Sequence, residues 1–226
     1  LTAGGIGSGK SCLNYGILEA LHNLNPARRV CVYGFPLSKI NLLPSWIEPI
    51  YQEEYPEDTI VLADEAYLTH YAKDHMSKGA RFIDKFEGLV RQKHILTLYI
   101  TQQTRKLLLA DVSGIQLFLV KSPDIMMMRL DRSELRPIIR EAWDAFKPLS
   151  KEDRKKATYV LSSDMEGLIK ESNTPPNFWS EEISEAWRGV SIEEEKLDQK
   201  DRSNEEVLTA YWARATTNIC PSCKLQ

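Results

Sequence analysis

The sequence of 226 residues lacks long apolar segments and has little net charge. Its longest apolar runs, such as residues 117–120 and 125–128, are far shorter than the ~20 residues that a helix needs to cross a membrane. Its net charge of −3 gives no global attraction to nucleic acid, so any such contact must come from a local patch or loop. No internal repeat, low-complexity block or signal peptide is evident. The remaining composition, 42% hydrophobic and 27% charged residues, is typical of a globular protein with a sizeable core.

Cysteine is also scarce, with four residues in the chain. Cys12 and Cys31 fall in apolar segments, where a free cysteine behaves as a small apolar residue. We therefore expect a reduced core and a cytoplasmic location. Cys220 and Cys223 form a Cys-x-x-Cys pair near the end of the sequence. A single pair is half of a zinc site at most, so two interpretations stay open, a solvated tail or the first half of a zinc ribbon.

A glycine-rich stretch near the start fits the pattern G-x-x-x-x-G-K-[ST], the phosphate-binding P-loop. Glycines let the backbone curl until successive N–H groups point at phosphate oxygens. The side chain of Lys10 can reach the β- and γ-phosphates, and the hydroxyl of Ser11 can coordinate Mg²⁺. The sequence therefore predicts a site for ATP and Mg²⁺ at a helix N-terminus. The predicted nucleotide-binding residues are Gly4, Gly5, Ile6, Gly7, Ser8, Gly9, Lys10, Ser11 and Cys12.

Only three residues, Leu1 to Ala3, precede this loop. A P-loop normally follows a buried strand, and the sequence has almost no room for one. We therefore expect a fragment whose first strand is truncated, and we expect it to be less stable than a chain with the missing residues restored.

A second pattern is the apolar run at residues 60–63 followed by Asp64 and Glu65, which is typical of a Walker B strand. A buried parallel strand delivers the carboxylates at its end to the edge of the sheet where the P-loop also lies. Asp64 is predicted to hold Mg²⁺ through water or through Ser11. Glu65 is predicted to activate the attacking water as the catalytic base.

A third apolar strand is predicted at residues 95–101, and it ends in Thr101, Gln102 and Gln103. A polar residue at the tip of a strand beside the P-loop can contact the γ-phosphate or the attacking water. Gln102 is the predicted sensor, because Gln103 points the other way if the strand continues. The alternative is that both glutamines only cap a loop.

Strands and helices alternate along the chain, which predicts an α/β fold with a mainly parallel sheet. One strand lies between the P-loop and the Walker B strand, and together with Glu65 this resembles the P-loop ATPases that carry an additional strand and a catalytic glutamate. The resemblance implies a P-loop NTPase three-layer sandwich, and we expect residues 1–146 to form the ATPase core. Residues 147–190 are expected to extend that core, and residues 191–226 to form a charged helical or disordered tail. The remaining predicted helices are 11–24, 44–54, 77–93, most of 123–146, and 179–190, and the remaining strands are 30–35, 115–120, 157–162 and 167–170.

Three short segments carry a resemblance to a known family. They are residues 64–66 (Asp-Glu-Ala), 91–94 (Arg-Gln-Lys-His, leading into a strand) and 101–102 (Thr-Gln, ending that strand). With the P-loop, they resemble the FtsK–HerA superfamily of DNA-pumping motors. Within that superfamily, the chain resembles the N-terminal ATPase domain of the zonula occludens toxin (Zot) family, and also the viral DNA-packaging ATPases. The resemblance covers about residues 2–122.

This resemblance implies an ATPase that forms a ring-shaped homo-oligomer, in which an arginine from one subunit completes the neighbour's site. It implies that Lys10 and Ser11 bind the nucleotide and Mg²⁺. It also implies Asp64 on Mg²⁺, Glu65 as the catalytic base and Gln102 as the sensor. Arg91 is the first choice for the arginine, with Arg81 and Arg105 as alternatives, although each could equally be an ordinary surface residue.

The predicted function is an ATP-driven motor that moves double-stranded or single-stranded DNA, in viral or phage packaging and morphogenesis or in plasmid transfer. If the protein is viral, it is expected in the host cytoplasm or associated with the virion. The chain departs from the Zot pattern because it has neither a membrane span nor a clear DNA-binding module. Three alternatives stay open: an ATPase that assembles or secretes proteins, a small-molecule kinase, and a non-hydrolysing nucleotide switch.

Overall fold

Eight strands form one sheet in the computed structural model of the chain, which describes residues 1–51, 55–64, 90, 92–107, 112 and 114–190. The strands are β1 (Thr2–Gly4), β2 (Arg29–Tyr33), β3 (Ile47–Ile50), β4 (Thr59–Ala63), β5 (Leu96–Thr101), β6 (Leu117–Lys121), β7 (Thr158–Ser162) and β8 (Glu166–Ile169). Their order across the sheet is β3-β2-β4-β5-β1-β6-β7-β8. The first six strands in this order are parallel, and β7 and β8 add an antiparallel hairpin at one edge.

The helices flank this sheet, and their bounds within the described residues are as follows. They are α1 (Lys10–Leu24), α2 (Ile125–Leu130), α3 (Arg136–Phe146), α4 (Lys151–Lys156) and α5 (Glu181–Ser184), with 3₁₀ turns at Leu37–Leu42 and Thr104–Lys106. The predicted α/β class with a mainly parallel sheet is therefore confirmed. The predicted helix at 77–93 lies almost entirely outside the described residues, as does the tail beyond residue 190.

The position of β5 is the feature of the sheet that matters most for the site. β5 pairs with β1 on one side, where Ala3 is opposite Thr101, and with β4 on the other side, where Ala63 is opposite Tyr99. One strand therefore separates the P-loop strand from the Walker B strand, as expected for an additional-strand P-loop fold. All three strands end at the same edge of the sheet because they are parallel.

β1 is short, but it is anchored on three sides. It pairs with both β5 and β6, so its three residues form a central strand of the sheet. The hydroxyl of Thr2 and the side-chain amide of Asn14 on α1 exchange hydrogen bonds of 3.1 Å and 2.9 Å. The amide of Asn14 also donates to the carbonyl oxygen of Lys10. This buried pair fixes the first strand to the helix that follows the P-loop.

Gly4, at the end of β1, has no room for a side chain. A Cβ atom there would lie 2.3 Å from the carbonyl oxygen of Lys121 and 2.9 Å from its Cβ. A backbone oxygen in the middle of a sheet cannot move aside cheaply. We expect Gly4→Ala to lower the free energy of unfolding by about 3 kcal/mol. Urea denaturation followed by circular dichroism measures this change.

Gly5→Ala is the matched control for that prediction. Its Cβ would meet only Asp124 Oδ2, at an ordinary contact distance of 3.7 Å. We expect its effect on the free energy of unfolding to stay below about 1 kcal/mol. Equal urea midpoints for the two variants would show that β1 does not pack against β6 as described.

The helix predicted at residues 44–54 is wrong, because part of this segment is strand β3. Ile47 and Ile50 are three residues apart, a spacing that suggests one face of a helix. In the strand they lie on opposite faces, and each packs into a different core cluster. The sheet is covered on both faces here, so both positions are apolar. Pro49 is tolerated because β3 pairs only with β2 and forms the edge of the sheet.

The amphipathic helix predicted at residues 179–190 is correct only in part. α5 has four residues, and hydrogen bonds between residues three apart follow it, from Ala186 to Ile183 and from Arg188 to Glu185. Ile183 and Ala186 are buried against α1 and β2, so the buried face repeats every three residues. That period fits tight turns better than an α-helix.

None of the helices in the described part of the chain combines the length and the hydrophobicity that a membrane crossing requires.

Candidate nucleotide-binding site

The P-loop connects β1 to α1 through residues 5–9, as the sequence predicts. Gly7 and Gly9 have φ angles of 70° and 86°, in the left-handed region that favours glycine. Gly9 is also crowded, because its Cβ would lie 2.4 Å from Asn173 Nδ2. α1 begins at Lys10 directly after this loop, so the unpaired N–H groups of its first turn lie next to the loop.

Lys10 lies folded over this loop. Its ammonium group donates a 2.8 Å hydrogen bond to the carbonyl oxygen of Gly5, and the residue is 7% exposed. The cation is therefore held at the mouth of the loop. A bound phosphate would compete for it as a fully charged acceptor, which is a stronger partner than a neutral carbonyl.

The loop contains an orphaned polar atom that supports an anion site. Ser8 is 4% exposed, and its Oγ has no hydrogen-bond partner among the described residues. A buried hydroxyl without a partner is costly, and a phosphate oxygen is a partner that would satisfy it. A Cβ at Gly7 would meet nothing within 4 Å, so the loop is open around this residue. The residues present therefore fit a phosphate group.

Asp64 and Ser11 line one cleft of 390 Å³ next to the loop. Asp64 follows the fully buried strand β4, and Ser11 lies in the first turn of α1. Burial and, secondly, the charge of Asp64 raise the pKa of Tyr15 well above its usual value, which indicates that the carboxylate lies near this α1 phenol. A hydroxyl and a carboxylate facing one cleft are suitable ligands for Mg²⁺. The cleft is also lined by turns from the end of the described chain, including Arg188.

Gln102 follows β5, so the sheet order places it between the P-loop and Asp64 along the same edge. It is partly exposed. The turn after it is fixed by Thr101, whose hydroxyl is buried, accepts from the backbone N–H of Gln103 at 3.2 Å and donates to the carbonyl of Gln103 at 3.0 Å. The predicted sensor therefore lies on a well-defined turn beside the P-loop.

Asp131 holds the next part of this turn. It is 2% exposed, and it accepts hydrogen bonds from the backbone N–H groups of Thr104 and Arg105 and from the hydroxyl of Thr104. The Arg105 side chain is exposed and donates to Gln103 Oε1. Arg105 thus contacts the sensor turn on its own chain.

Three predicted residues lie outside the described part of the chain, and their roles remain predictions. They are Glu65, Arg91 and Arg81. Of the other predicted residues, Lys10 lies over the loop and Ser11 and Asp64 line the cleft, whereas Gln102 is placed only by the strand order, at the same edge of the sheet.

Sequence reasoning missed three residues around the loop. Lys121 is a fully buried cation at the end of β6, Asn173 packs on Gly9, and Arg188 lines the cleft. Lys121 directly follows an apolar strand, which is a weak signal because many strands end in a charged residue. Asn173 and Arg188 reach the site through long-range folding, and no local pattern indicates it.

No protein-family model matches the chain, and no characterised protein matches it significantly in sequence. Solved structures do match. The genome packaging NTPase B204 from Sulfolobus turreted icosahedral virus 2, in complex with ATP-gammaS, is 15% identical, with a TM-score of 0.52 over 77% of this chain and 96% of that chain. The DNA-packaging ATPase B204 from Sulfolobus turreted icosahedral virus is 13% identical, with a TM-score of 0.53 over 78% and 96%.

The N-terminal domain of zonular occludens toxin from Neisseria meningitidis also matches, at 16% identity and over 55% of this chain and 77% of that chain. Its TM-score of 0.38 is too low to carry an inference. The two packaging enzymes share the fold of this chain, so the predicted P-loop NTPase fold and its likeness to viral packaging ATPases are confirmed at the level of the fold.

Proposed function

We propose that the protein is a P-loop ATPase that hydrolyses ATP with the help of Mg²⁺. The observation that carries this proposal is the meeting of three strand ends at one edge of the sheet. The P-loop with Lys10 follows β1, Asp64 follows β4, and Gln102 follows the strand between them. Ser11 and Asp64 line the same cleft. This arrangement supports phosphate binding and metal coordination at one place.

In the proposed reaction, the loop and Lys10 bind the phosphates of ATP and stabilise the negative charge that develops on the transferred group. Ser11 and Asp64 hold Mg²⁺, which when bound neutralises charge on the β- and γ-phosphate oxygens. Glu65 accepts a proton from the attacking water, the new oxygen–phosphorus bond forms, and the bond to ADP breaks. Gln102 orients the water or contacts the γ-phosphate from the neighbouring strand.

We further propose that the ATPase is an oligomeric motor that acts on DNA. The support is the fold shared with two viral packaging enzymes, together with the three short segments that resemble DNA-pumping motors. In this proposal Arg91 of one subunit completes the site of its neighbour in a ring. Basic loop residues then move along the phosphate backbone during the hydrolysis cycle.

The DNA proposal predicts that double-stranded DNA stimulates steady-state hydrolysis of ATP. We expect several-fold stimulation at low salt, because each backbone contact releases counterions, and a progressive loss as salt rises to physiological levels. Phosphate release with and without DNA, across a salt series, measures this effect. Hydrolysis that is indifferent to DNA at every salt concentration would favour a protein-directed ATPase instead. Phosphate transfer to a small acceptor would favour a kinase.

A further inference from the structure

Lys121 is a buried cation that the proposed reaction does not use. It is the last residue of β6, its solvent exposure is 0%, and in the sheet it lies opposite Gly4, where the P-loop begins. Its ammonium group donates 2.7 Å hydrogen bonds to the carbonyl oxygens of Lys155 and Ala157. Among the residues that the structure describes, no carboxylate forms an ion pair with it. A fully buried lysine held by neutral acceptors is rare.

The ammonium group lies directly behind the P-loop. The carbonyl oxygen of Lys155, which accepts its hydrogen bond, is 3.4 Å from the Cβ position of Gly9. The side-chain amide of Asn173 donates to the same oxygen and packs on Gly9. A single carbonyl oxygen therefore separates the cation from the loop. Leu119, on the same face of β6 as Lys121, packs against Leu13 of α1, so the cation lies on the α1 side of the sheet.

The charge is costly in this position when no anion is bound. Burial lowers the pKa of Lys121 from 10.5 to about 8, although the nearby thiol of Cys12 acts in the opposite direction. The N-terminus of α1 adds a positive partial charge on the same side of the sheet. A bound phosphate would instead stabilise the charged form of Lys121, because it would place negative charge just across the loop.

We propose that Lys121 is a second cation of the nucleotide site, which strengthens phosphate binding from behind the P-loop without touching the ligand. This proposal rests on the proposed nucleotide binding. Lys121 is therefore a positioning residue, and Lys10 is the cation that contacts the phosphates. It follows that nucleotide binding favours the protonated form of Lys121.

The sign of the resulting pH dependence follows from linkage. Near pH 7 the ammonium group is charged in the free protein, so nucleotide binding takes up little proton. Between pH 8 and 9 the free protein is increasingly neutral at Lys121, so binding must add a proton, and the affinity falls. If the bound form stays charged, the affinity for ATP falls by about tenfold from pH 7 to pH 9.

Several other titratable groups lie around Lys121. Burial raises the pKa of the Cys12 thiol from 9.0. Asp124 is a carboxylate beside Gly5, at the start of the loop. The side chains of Lys155 and Lys156, on the element that accepts the hydrogen bonds, are exposed to solvent. Lys10 is the other cation at the proposed phosphate site. A variant of Lys121 is therefore needed to show which of the two lysines takes up the proton on nucleotide binding.

The test is calorimetric titration of the whole protein with ATP-gammaS and Mg²⁺ at pH 7 to 9, in two buffers with different ionisation enthalpies. The difference in heat gives the protons taken up on binding. We expect uptake that approaches one proton near pH 9, and we expect Lys121→Met to abolish this uptake and to flatten the pH profile of affinity. Lys151→Met removes an exposed lysine on α4 and should keep the wild-type profile.

If Lys121→Met fails to fold, the titration of the wild-type protein still tests the proposal. The absence of proton uptake by the wild-type protein up to pH 9 would overturn the role of Lys121. Unchanged uptake in a folded Lys121→Met protein would overturn it as well, and would assign the proton to another group. Failure of the wild-type protein to bind ATP-gammaS at any pH would instead refute the proposed nucleotide site.

Discussion

Replacement of Lys10 by alanine is expected to reduce the rate of ATP hydrolysis by about two to three orders of magnitude. The residue is buried at the mouth of the P-loop, and its ammonium group already lies against the loop carbonyl of Gly5. No other cation among the described residues donates a hydrogen bond to this loop. The variant should therefore lose charge stabilisation in the transition state and much of its affinity for the phosphates. Steady-state phosphate release and equilibrium binding of ATP-gammaS measure the two losses.

Lys151→Ala is the control for this prediction, because it removes an exposed lysine at the start of α4. We expect its basal rate of hydrolysis to equal that of the wild-type protein. The unfolding midpoint of Lys10→Ala should be compared as well, since the ammonium group also donates a hydrogen bond to the loop carbonyl of Gly5. Hydrolysis that survives in a folded Lys10→Ala protein would show that the loop is not the phosphate site.

Replacement of Glu65 by glutamine is expected to abolish turnover while leaving nucleotide binding intact. Glu65 directly follows Asp64 in the sequence, and Asp64 lines the cleft. A glutamine keeps the size and polarity of the side chain but cannot accept the proton of the attacking water. Loss of general-base catalysis should lower the rate by about 10²- to 10⁴-fold. Single-turnover hydrolysis, with binding of ATP-gammaS measured in parallel, separates the two properties.

Glu57→Gln is a matched control, because Glu57 is a solvent-exposed carboxylate ahead of the same strand. It should retain the wild-type rate. If Glu65→Gln hydrolyses ATP at the wild-type rate, the catalytic base is another residue or the protein does not use one. If Glu65→Gln loses both binding and hydrolysis, the residue supports the site structurally instead.

The core of the site could be predicted from the sequence because its signals are local. The P-loop is one continuous pattern, and Asp64 and Gln102 each follow an apolar run that forms a parallel strand. Parallel strands end at one edge of a sheet, so separate segments could be assigned to one place. The additional-strand type was expected from the resemblance, and the pairing of β5 with both β1 and β4 agrees with it.

The two helix predictions that failed wholly or in part, at residues 44–54 and 179–190, have a common physical origin. Both segments are short, and the spacing of their apolar residues does not distinguish an α-helix from another conformation. Ile47 and Ile50 fit a helix face by spacing, but they form an edge strand with both faces covered. The segment that contains Ile183 and Ala186 has too few regular residues to separate an α-helix from successive tight turns. In both segments tertiary packing determines the conformation, and a short local pattern cannot report it.

The residues behind the P-loop could not be assigned a role from the sequence because they reach it through long-range folding. Lys121 lies far from the loop in the sequence, and the carbonyl oxygens that hold it come from α4 and from the residue between α4 and β7. Asn173 reaches Gly9 only because the segment after β8 crosses back over the start of α1. Motif patterns indicate the side chains that contact ligand, whereas the residues that support a loop from behind become visible only in the folded chain.

The most direct test of the proposed ATPase is the rate at which the purified wild-type protein releases phosphate from ATP. The assay compares Mg²⁺ with an excess of chelator, and it uses Lys10→Ala as the background. We expect Mg²⁺-dependent hydrolysis that saturates with ATP and is absent from the variant. Tight binding of ATP without any release of phosphate would leave a nucleotide switch as the function. Equal rates for the wild-type protein and Lys10→Ala would contradict the site itself.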